Sequence, residues 1–346
     1  MFTHKRAGKN FKHLNLKAGR EEILVMSKIG WFDFQDWEKN ELKETELDIE
    51  IHKESLTPEN KDQDYDLISV FASSKLNEEV LRAIQPKAVF TRSTGYDHID
   101  LETAEELDIE VYNVPNYGAN AVAEQAMSLL LAIVRKIPEA IERTHHKFSH
   151  EGLEGFELDG KKFGVVGTGD IGKKAIKMAK GFEMDVIAYD PYGDKSLEEE
   201  LEFMYVSKED LLKKSDIISL HLPLTEDTRY FLDSEEFAEM DDTVIINTAR
   251  GAIINSEALL EALENGNVMA AGLDVLEIEE EMTCIQNYRE KTEFCQPEFQ
   301  INCQLIERED TLVTPHNAFN TTEAKHRILK TTLRNIKERP KKKQVN

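Results

Sequence analysis

"FGVVGTGDIGKKAIKMAKGF", residues 163–182, begins as an apolar run, turns through closely spaced glycines and continues in a helical pattern. Gly167, Thr168, Gly169, Asp170, Ile171 and Gly172 match G-x-G-x-x-G. Alone, such a match is weak. Here it follows a strand-like run and opens a helix, and the next apolar run, "VIAYD", ends in Asp190. That context is what a dinucleotide-binding strand–helix–strand unit requires. The first glycine makes the tight turn, the second lets backbone approach a pyrophosphate, and the third lets the helix pack on the strand. Free N–H groups at the helix start then hold phosphates. An acid at Asp190 suits a ribose 2′-hydroxyl and repels a 2′-phosphate, so the expected cofactor is NAD rather than NADP. A glycine-rich turn without a ligand is the plain alternative, and strand, helix and acid together argue against it.

The same alternation extends both ways. Upstream, strand-like runs "EILVMS" (22–27), "LDIEIH" (47–52), "YDLISVFA" (65–72), "KAVFTRS" (87–93) and "DIEVYNV" (108–114) are interspersed with the helical patterns "FQDWEKNEL" and "LNEEVLRAI". Pro115 and Gly118 break the rhythm before a long apolar helix that starts near Asn120. Downstream come "DIISLHLP", "TVIINTARG", "MAAGLDVLE" and "TLVTPHN". Strands alternating with helices argue parallel sheets covered on both faces, here two doubly wound α/β units joined by long helices. A chain of 346 residues is long enough for two cores.

The net charge of −24 repels nucleic-acid phosphates and anionic lipid, so neither a nucleic acid nor a membrane is expected as partner. A small anionic substrate would need a local cation. Three cysteines, Cys284, Cys295 and Cys303, do not form the pattern of a secreted disulfide framework. No charged-then-apolar leader opens the chain, and its most apolar run (121–134) is too short to span a bilayer. A cytoplasmic setting is expected. Residues 1–20 are basic without a single acid and read as a loose tail, as does "RPKKKQVN" at the other end.

A nicotinamide cofactor implies hydride transfer to a carbonyl. That needs a cation to fix the substrate and polarise the carbonyl, and an acid to protonate the developing alkoxide. Arg250, just past "TVIIN", stands at the C-terminal edge of a sheet, where doubly wound folds bind ligands, and its planar fork suits a carboxylate. Of ten histidines, His221 and His316 each end an apolar strand. The residues leave open which is the acid and which packs beside the cofactor. Asp274, at another strand tip, reads as a cap or as a nicotinamide partner. Beyond it, "LDVLEIEEEM" (273–282) carries Glu277, Glu279, Glu280 and Glu281, which alone would pass for a solvated acidic run.

"TRSTGYDHIDLETAEELDIEVYNVPNYGANAVAEQA", "GVVGTGDIG…YDPY", "NTARGAIINSEALLEALENG…AAGLDVLE" and "TPHNAFNTTEA" together resemble the D-isomer-specific 2-hydroxyacid dehydrogenases, most of all their D-lactate dehydrogenase-like group. The likeness runs from about residue 65 to about residue 336. It implies a Rossmann NAD domain (119–316) inserted into a flavodoxin-like substrate domain made of 21–118 and 317–346. It further implies that Arg250 holds the 2-oxoacid, that His316 is the acid/base and that a glutamate pairs with it. Thr94, Gly95 and Tyr96, with Ser93, would offer backbone N–H groups to the substrate carboxylate. Leu222, Pro223, Thr228, Thr248, Ala249 and Asp274 would line the cofactor, and Asp190 would bind its adenosine ribose. The implied activity is reversible reduction of a small 2-oxoacid in a cleft that closes over it, by a homodimer for which the apolar helix after Asn120 offers an interface.

The family spacing from Asp274 selects Glu279 as the histidine's partner. The usual next proline is absent, so Glu280 is the substitute candidate, and Glu277 reads as strand-end or surface. The charged insert from Glu280 to Asp310 holds all three cysteines, spaced eleven and eight positions apart, which matches no zinc pattern, so no metal is expected. The rival activities are glyoxylate/hydroxypyruvate reductase, phosphoglycerate dehydrogenase and an NAD-sensing binding protein on the same fold.

Overall fold

The computed structural model of the chain describes residues 27–279, 297–339 and 345. Contacts divide it into two units: one runs up to Tyr117 and resumes at Thr322, and the other spans Gly118–Thr321. The chain therefore passes between units at 117/118 and 321/322, against the expected 118/119 and 316/317.

In the first unit, β1 (Ile29–Trp31), β2 (Ile49–Ile51), β3 (Leu67–Val70), β4 (Ala88–Thr91) and β5 (Glu110–Tyr112) form one parallel sheet in the order β2-β1-β3-β4-β5. This is the flavodoxin-like order. The central strands β3 and β4 are buried at every residue, as expected of strands covered on both faces. α1 (Lys39–Lys43) follows β1, α2 (Glu78–Ile84) follows β3 and α3 (Leu101–Glu106) follows β4. Asn77 and Asp100 cap α2 and α3 by accepting from Val80 N and Thr103 N. The returning segment contributes α12 (Thr322–Glu338), whose Leu329 and Ile336 are buried with Trp31, Phe90 and Tyr112. The first described strand is Ile29–Trp31; of the expected strand at 22–27 only Ser27 lies within the described residues.

The second unit opens with α4 (Ala119–Val134) and α5 (Ile137–Thr144), then alternates: β6 (Lys162–Val166), α6 (Asp170–Gly181), β7 (Asp185–Tyr189), α7 (Ser196–Leu201), β8 (Met204–Tyr205), α8 (Lys208–Lys214), β9 (Ile217–Leu220), α9 (Ser234–Ala238), β10 (Thr243–Asn247), α10 (Ser256–Asn265), β11 (Val268–Leu273), α11 (Pro297–Glu307) and β12 (Thr311–Val313). All seven strands pair in parallel in the order β12-β11-β10-β9-β6-β7-β8. The order reverses between β6 and β9, the switch point at which doubly wound sheets bind ligands. The apolar α4 is spent inside this unit: Ala123, Ala126, Met127, Leu130 and Val134 are buried with α6 and the sheet. No helix of the described residues is long and apolar enough to cross a membrane.

Candidate active site

The fingerprint sits at the switch point. Gly167 follows β6 with φ +90°, and a Cβ there would meet the His221 carbonyl at 2.6 Å and Leu222 Cδ2 at 3.1 Å. A Cβ on Gly172 would meet the Gly167 carbonyl at 2.0 Å, so only glycine lets α6 start this close to β6. A Cβ on Gly169 would meet nothing within 4 Å, which leaves an open approach to the helix N-terminus. Asp170, in the first turn, pairs with Lys173 at 3.1 Å, which offsets its charge at the end that attracts anions. Asp190, past β7, accepts from Thr168 N at 2.8 Å and Thr168 Oγ1 at 2.9 Å, so this acid and the glycine turn are one hydrogen-bonded piece.

Around this cradle, two buried polar atoms, Thr248 Oγ1 and His221 Nδ1, have no partner among the described residues. Leu222 is half-buried against the turn, and Thr228 Oγ1 donates to the Pro223 carbonyl at 2.6 Å, closing the loop after β9. An open helix start, an acid at the tip of the next strand and unpartnered buried polar atoms fit a dinucleotide. Burial pushes the His221 pKa down to about 4, so this ring is neutral near pH 7.

His316 follows β12. Its Nδ1 lies 2.5 Å from Glu279 Oε1. Partial desolvation disfavours the charged ring, but the Glu279 hydrogen bond and charge outweigh it and raise the His316 pKa above the ordinary value. Arg250 opposes this and Asp274 adds to it. His316 has φ +47°, a left-handed conformation that side chains rarely adopt. It is held there by Asp274, which is 1% exposed. The Asp274 carbonyl accepts from His316 N at 2.8 Å, and its carboxylate accepts from Thr314 Oγ1, Asn317 N and Ala318 N at 2.5, 2.9 and 2.8 Å. Burial raises the Asp274 pKa against the pull of these bonds. The aspartate thus acts as a cap on the turn of the histidine.

The opposite turn is built as tightly. A Cβ on Gly251 would meet the Leu276 carbonyl carbon and oxygen at 2.0 Å, so the loop after β10 lies directly on residues 276–277. The Asn247 side chain, 1% exposed, pins that loop by donating to the Arg250 carbonyl at 2.9 Å and accepting from Ala249 N at 3.0 Å. Arg250 Nη1 donates to the Ala249 carbonyl at 2.8 Å. Ile278 has φ +44°, costly for a β-branched residue, and packs on Phe299 and Cys303 of α11. Asn302 Nδ2 donates to the Glu277 carbonyl at 2.6 Å. Of the two expected places for Glu277, strand end or surface, the surface does not hold: it is 7% exposed, and its carboxylate accepts from Ser256 N at 3.0 Å at the start of α10. Glu280, Glu281, Cys284 and Cys295 lie outside the described residues, while Cys303 is buried. Among the described residues no group of acids, histidines and cysteines could hold a metal.

In the first unit, the loop after β4 turns its carbonyls inward. Ser93 O accepts from Val114 N at 2.9 Å, Thr94 O from Asn113 Nδ2 at 2.7 Å, Gly95 O from Ser93 Oγ at 2.6 Å and Tyr96 O from Ile99 N at 3.0 Å. The N–H groups of Thr94, Gly95 and Tyr96 have no such partner among the described residues, which suits an anion. Asn247, Gly251 and Thr314 are contributors that sequence reasoning missed. A glycine four places past a strand end signals nothing until the crossing backbone is known.

The model of the D-isomer specific 2-hydroxyacid dehydrogenase NAD-binding domain matches residues 127–318. A hydroxypyruvate reductase of Thermotoga maritima is 37% identical over 302 residues, covering 85% of this chain and 92% of that protein.

The chain belongs to the D-isomer-specific 2-hydroxyacid dehydrogenase family.

Other members are similar to it with different substrates in their names. An aromatic 2-oxoacid reductase of Clostridium sporogenes is 38% identical over 290 residues, covering 79% of this chain and 82% of that protein. A D-lactate dehydrogenase of Aquifex aeolicus, solved with NAD and lactic acid, superposes with a TM-score of 0.81 at 30% identity, covering 92% of this chain and 99% of that one. As a D-2-hydroxyacid dehydrogenase, the chain is an NAD-dependent oxidoreductase on two parallel-sheet α/β domains.

Proposed function

We propose that the protein reduces a small, pyruvate-like 2-oxoacid to the D-2-hydroxyacid, with His316 as the acid, and catalyses the reverse oxidation with His316 as the base. The observation that carries this reading is the 2.5 Å pair between His316 Nδ1 and Glu279 Oε1. With Nδ1 engaged, Nε2 is the nitrogen left to give a proton to the carbonyl oxygen, and Glu279 stabilises the charged ring before transfer. NADH, when bound, supplies the hydride to the keto carbon. Arg250 serves as the fork for the substrate carboxylate and polarises the carbonyl, and the N–H groups of Thr94, Gly95 and Tyr96 serve carboxylate recognition. The glycine turn, Asp190, Leu222, Pro223, Thr228, Thr248, Ala249 and Asp274 serve the cofactor. A small substrate side chain is supported by the lactic acid named in the solved relative.

The same reading places the enzyme in the cytoplasm as a homodimer. The dimer is supported by the exposed apolar side chains after α4: Ile137 is 43%, Ile141 58% and Phe148 97% exposed. The deciding experiment mixes pure protein with NADH and, separately, pyruvate, hydroxypyruvate, glyoxylate, phenylpyruvate and a branched 2-oxoacid. Fastest loss of the NADH absorbance band with pyruvate is expected. No loss with any of them overturns the activity, and a clear preference for phenylpyruvate overturns the small side chain.

A further inference from the structure

Arg92 precedes the Ser93–Tyr96 loop and, read from sequence, would pass for a carboxylate-binding cation. The fold excludes that use. Arg92 and Glu38 are both 0% exposed, and Arg92 Nε lies 2.9 Å from Glu38 Oε1. Nη1 donates to Ser69 Oγ at 3.0 Å, and Nη2 donates to the Phe32 carbonyl at 2.5 Å and the Asp33 carbonyl at 3.1 Å. The guanidinium lies 4.6 Å from the Trp31 ring centre and 5.8 Å from that of Phe71. Its fork is thus committed inside the first unit. Glu38 and Asp33 together outweigh its charge, so the cluster projects no positive field for a substrate.

What the cluster joins is more informative. Phe32 and Asp33 follow β1, Phe71 follows β3, and Arg92 itself follows β4. These are the loops at the C-terminal edge of the first sheet, the edge where doubly wound folds bind ligands. Asp33, at φ +54°, accepts from Phe71 N at 2.9 Å, Ser74 Oγ at 2.6 Å and Ser55 Oγ at 2.7 Å, and so ties the loop after β3 to the loop after β1. Glu38 Oε2 accepts from Gln35 N at 2.8 Å and lies within 3.3 Å of Trp31 Nε1, closing the knot on the far side. A buried ion pair of this kind adds little net stability over an apolar pair of the same volume, but it imposes one geometry. We infer that Arg92 and Glu38 are positioning residues: they lock the loops after β1, β3 and β4 together and so fix the Ser93–Tyr96 N–H groups for the substrate carboxylate. This rests on the activity proposed above.

The test replaces the pair by Glu38→Leu with Arg92→Met, which keeps volume and removes both charges. A second protein, Arg92→Lys, keeps the charge and loses the fork. Melting temperature and NADH affinity establish that each is folded, and if the double variant is not, the lysine variant decides. Two readouts follow: amide hydrogen exchange at Val114 and Phe71, whose N–H groups donate to Ser93 and Asp33, and the split of KM and kcat for the preferred 2-oxoacid. The expected result is exchange faster by about tenfold, and KM raised about ten- to hundredfold, with kcat and NADH affinity within about twofold. Unchanged exchange, or faster exchange with unchanged KM, in a folded variant overturns the inference. If the unaltered protein turns over no 2-oxoacid, the proposed activity fails separately, and exchange alone then decides whether the pair locks the loops.

Discussion

His316 and Glu279 meet at 2.5 Å from two turns that each contain a left-handed residue, His316 itself at φ +47° and Ile278 at +44°. Neither turn is relaxed. Each is held from behind, the first by the Asp274 carboxylate and the second by α11 and by backbone crowding at Gly251. The geometry of the pair is therefore set by residues outside the pair itself.

With His316 as the proposed acid, reduction requires the protonated ring, so activity is expected below the His316 pKa and fades as pH rises through it. Glu279 raises that pKa. Glu279→Gln should move the alkaline limb of the reductive pH profile to lower pH, and His316→Ala should cut kcat by about 10²–10⁴-fold with little effect on NADH affinity. A pH series of kcat/KM with saturating NADH reads both. An unmoved alkaline limb in Glu279→Gln would assign the pairing to another acid.

Arg250→Lys should retain charge and lose the fork. A loss of about 1.5–3 kcal/mol in transition-state stabilisation, roughly ten- to hundredfold in kcat/KM, is expected from one charge-assisted contact. Steady-state kinetics check it, and NADH fluorescence titration should show cofactor binding intact.

Gly172→Ala places a methyl 2.0 Å from the Gly167 carbonyl, so the start of α6 must move. NADH binding should weaken by tenfold or more, on the order of 1.4 kcal/mol. Asp190→Ser should narrow the preference for NADH over NADPH, and should also weaken NADH because Asp190 holds Thr168. Calorimetric titration with each cofactor separates the two effects.

Glu277→Ala removes a buried acceptor from the first turn of α10. A loss of about 1–2 kcal/mol of stability is expected, measurable by urea denaturation, with smaller loss in Glu277→Gln, which keeps an acceptor.

Ile141→Glu puts a charge into the exposed apolar surface of α5. If that surface pairs two copies, sedimentation should change from dimer to monomer. A monomeric unaltered protein removes the assignment.

Both doubly wound sheets were legible because strand residues buried on both faces form unbroken apolar runs between turn signals, as in "AVF" (88–90) and "FGVV". The glycine turn was legible because its spacing encodes a steric requirement. Arg250, His316 and Glu279 came from strand ends and family spacing, and the fold brings Glu279 onto His316. Two of the misread positions share one cause, burial by residues distant in sequence. Glu277 looks like surface because charge runs usually are, yet the N–H of Ser256, distant in sequence, takes it inside. The helix Pro297–Glu307 was hidden in a charged insert because its burial comes from α10 and the Glu279 turn. The strand Ile29–Trp31, three residues around a glycine, is shorter than periodicity can register.

Ile278 carries a further consequence. A β-branched residue in the left-handed region costs about 1–2 kcal/mol relative to a relaxed turn. Glycine there would return that strain while releasing the backbone that aims Glu279. Heat tolerance and catalytic pH range therefore pull this position in opposite directions. A library selected for thermal survival alone should yield changes at position 278, and the survivors should lose activity first at the alkaline end.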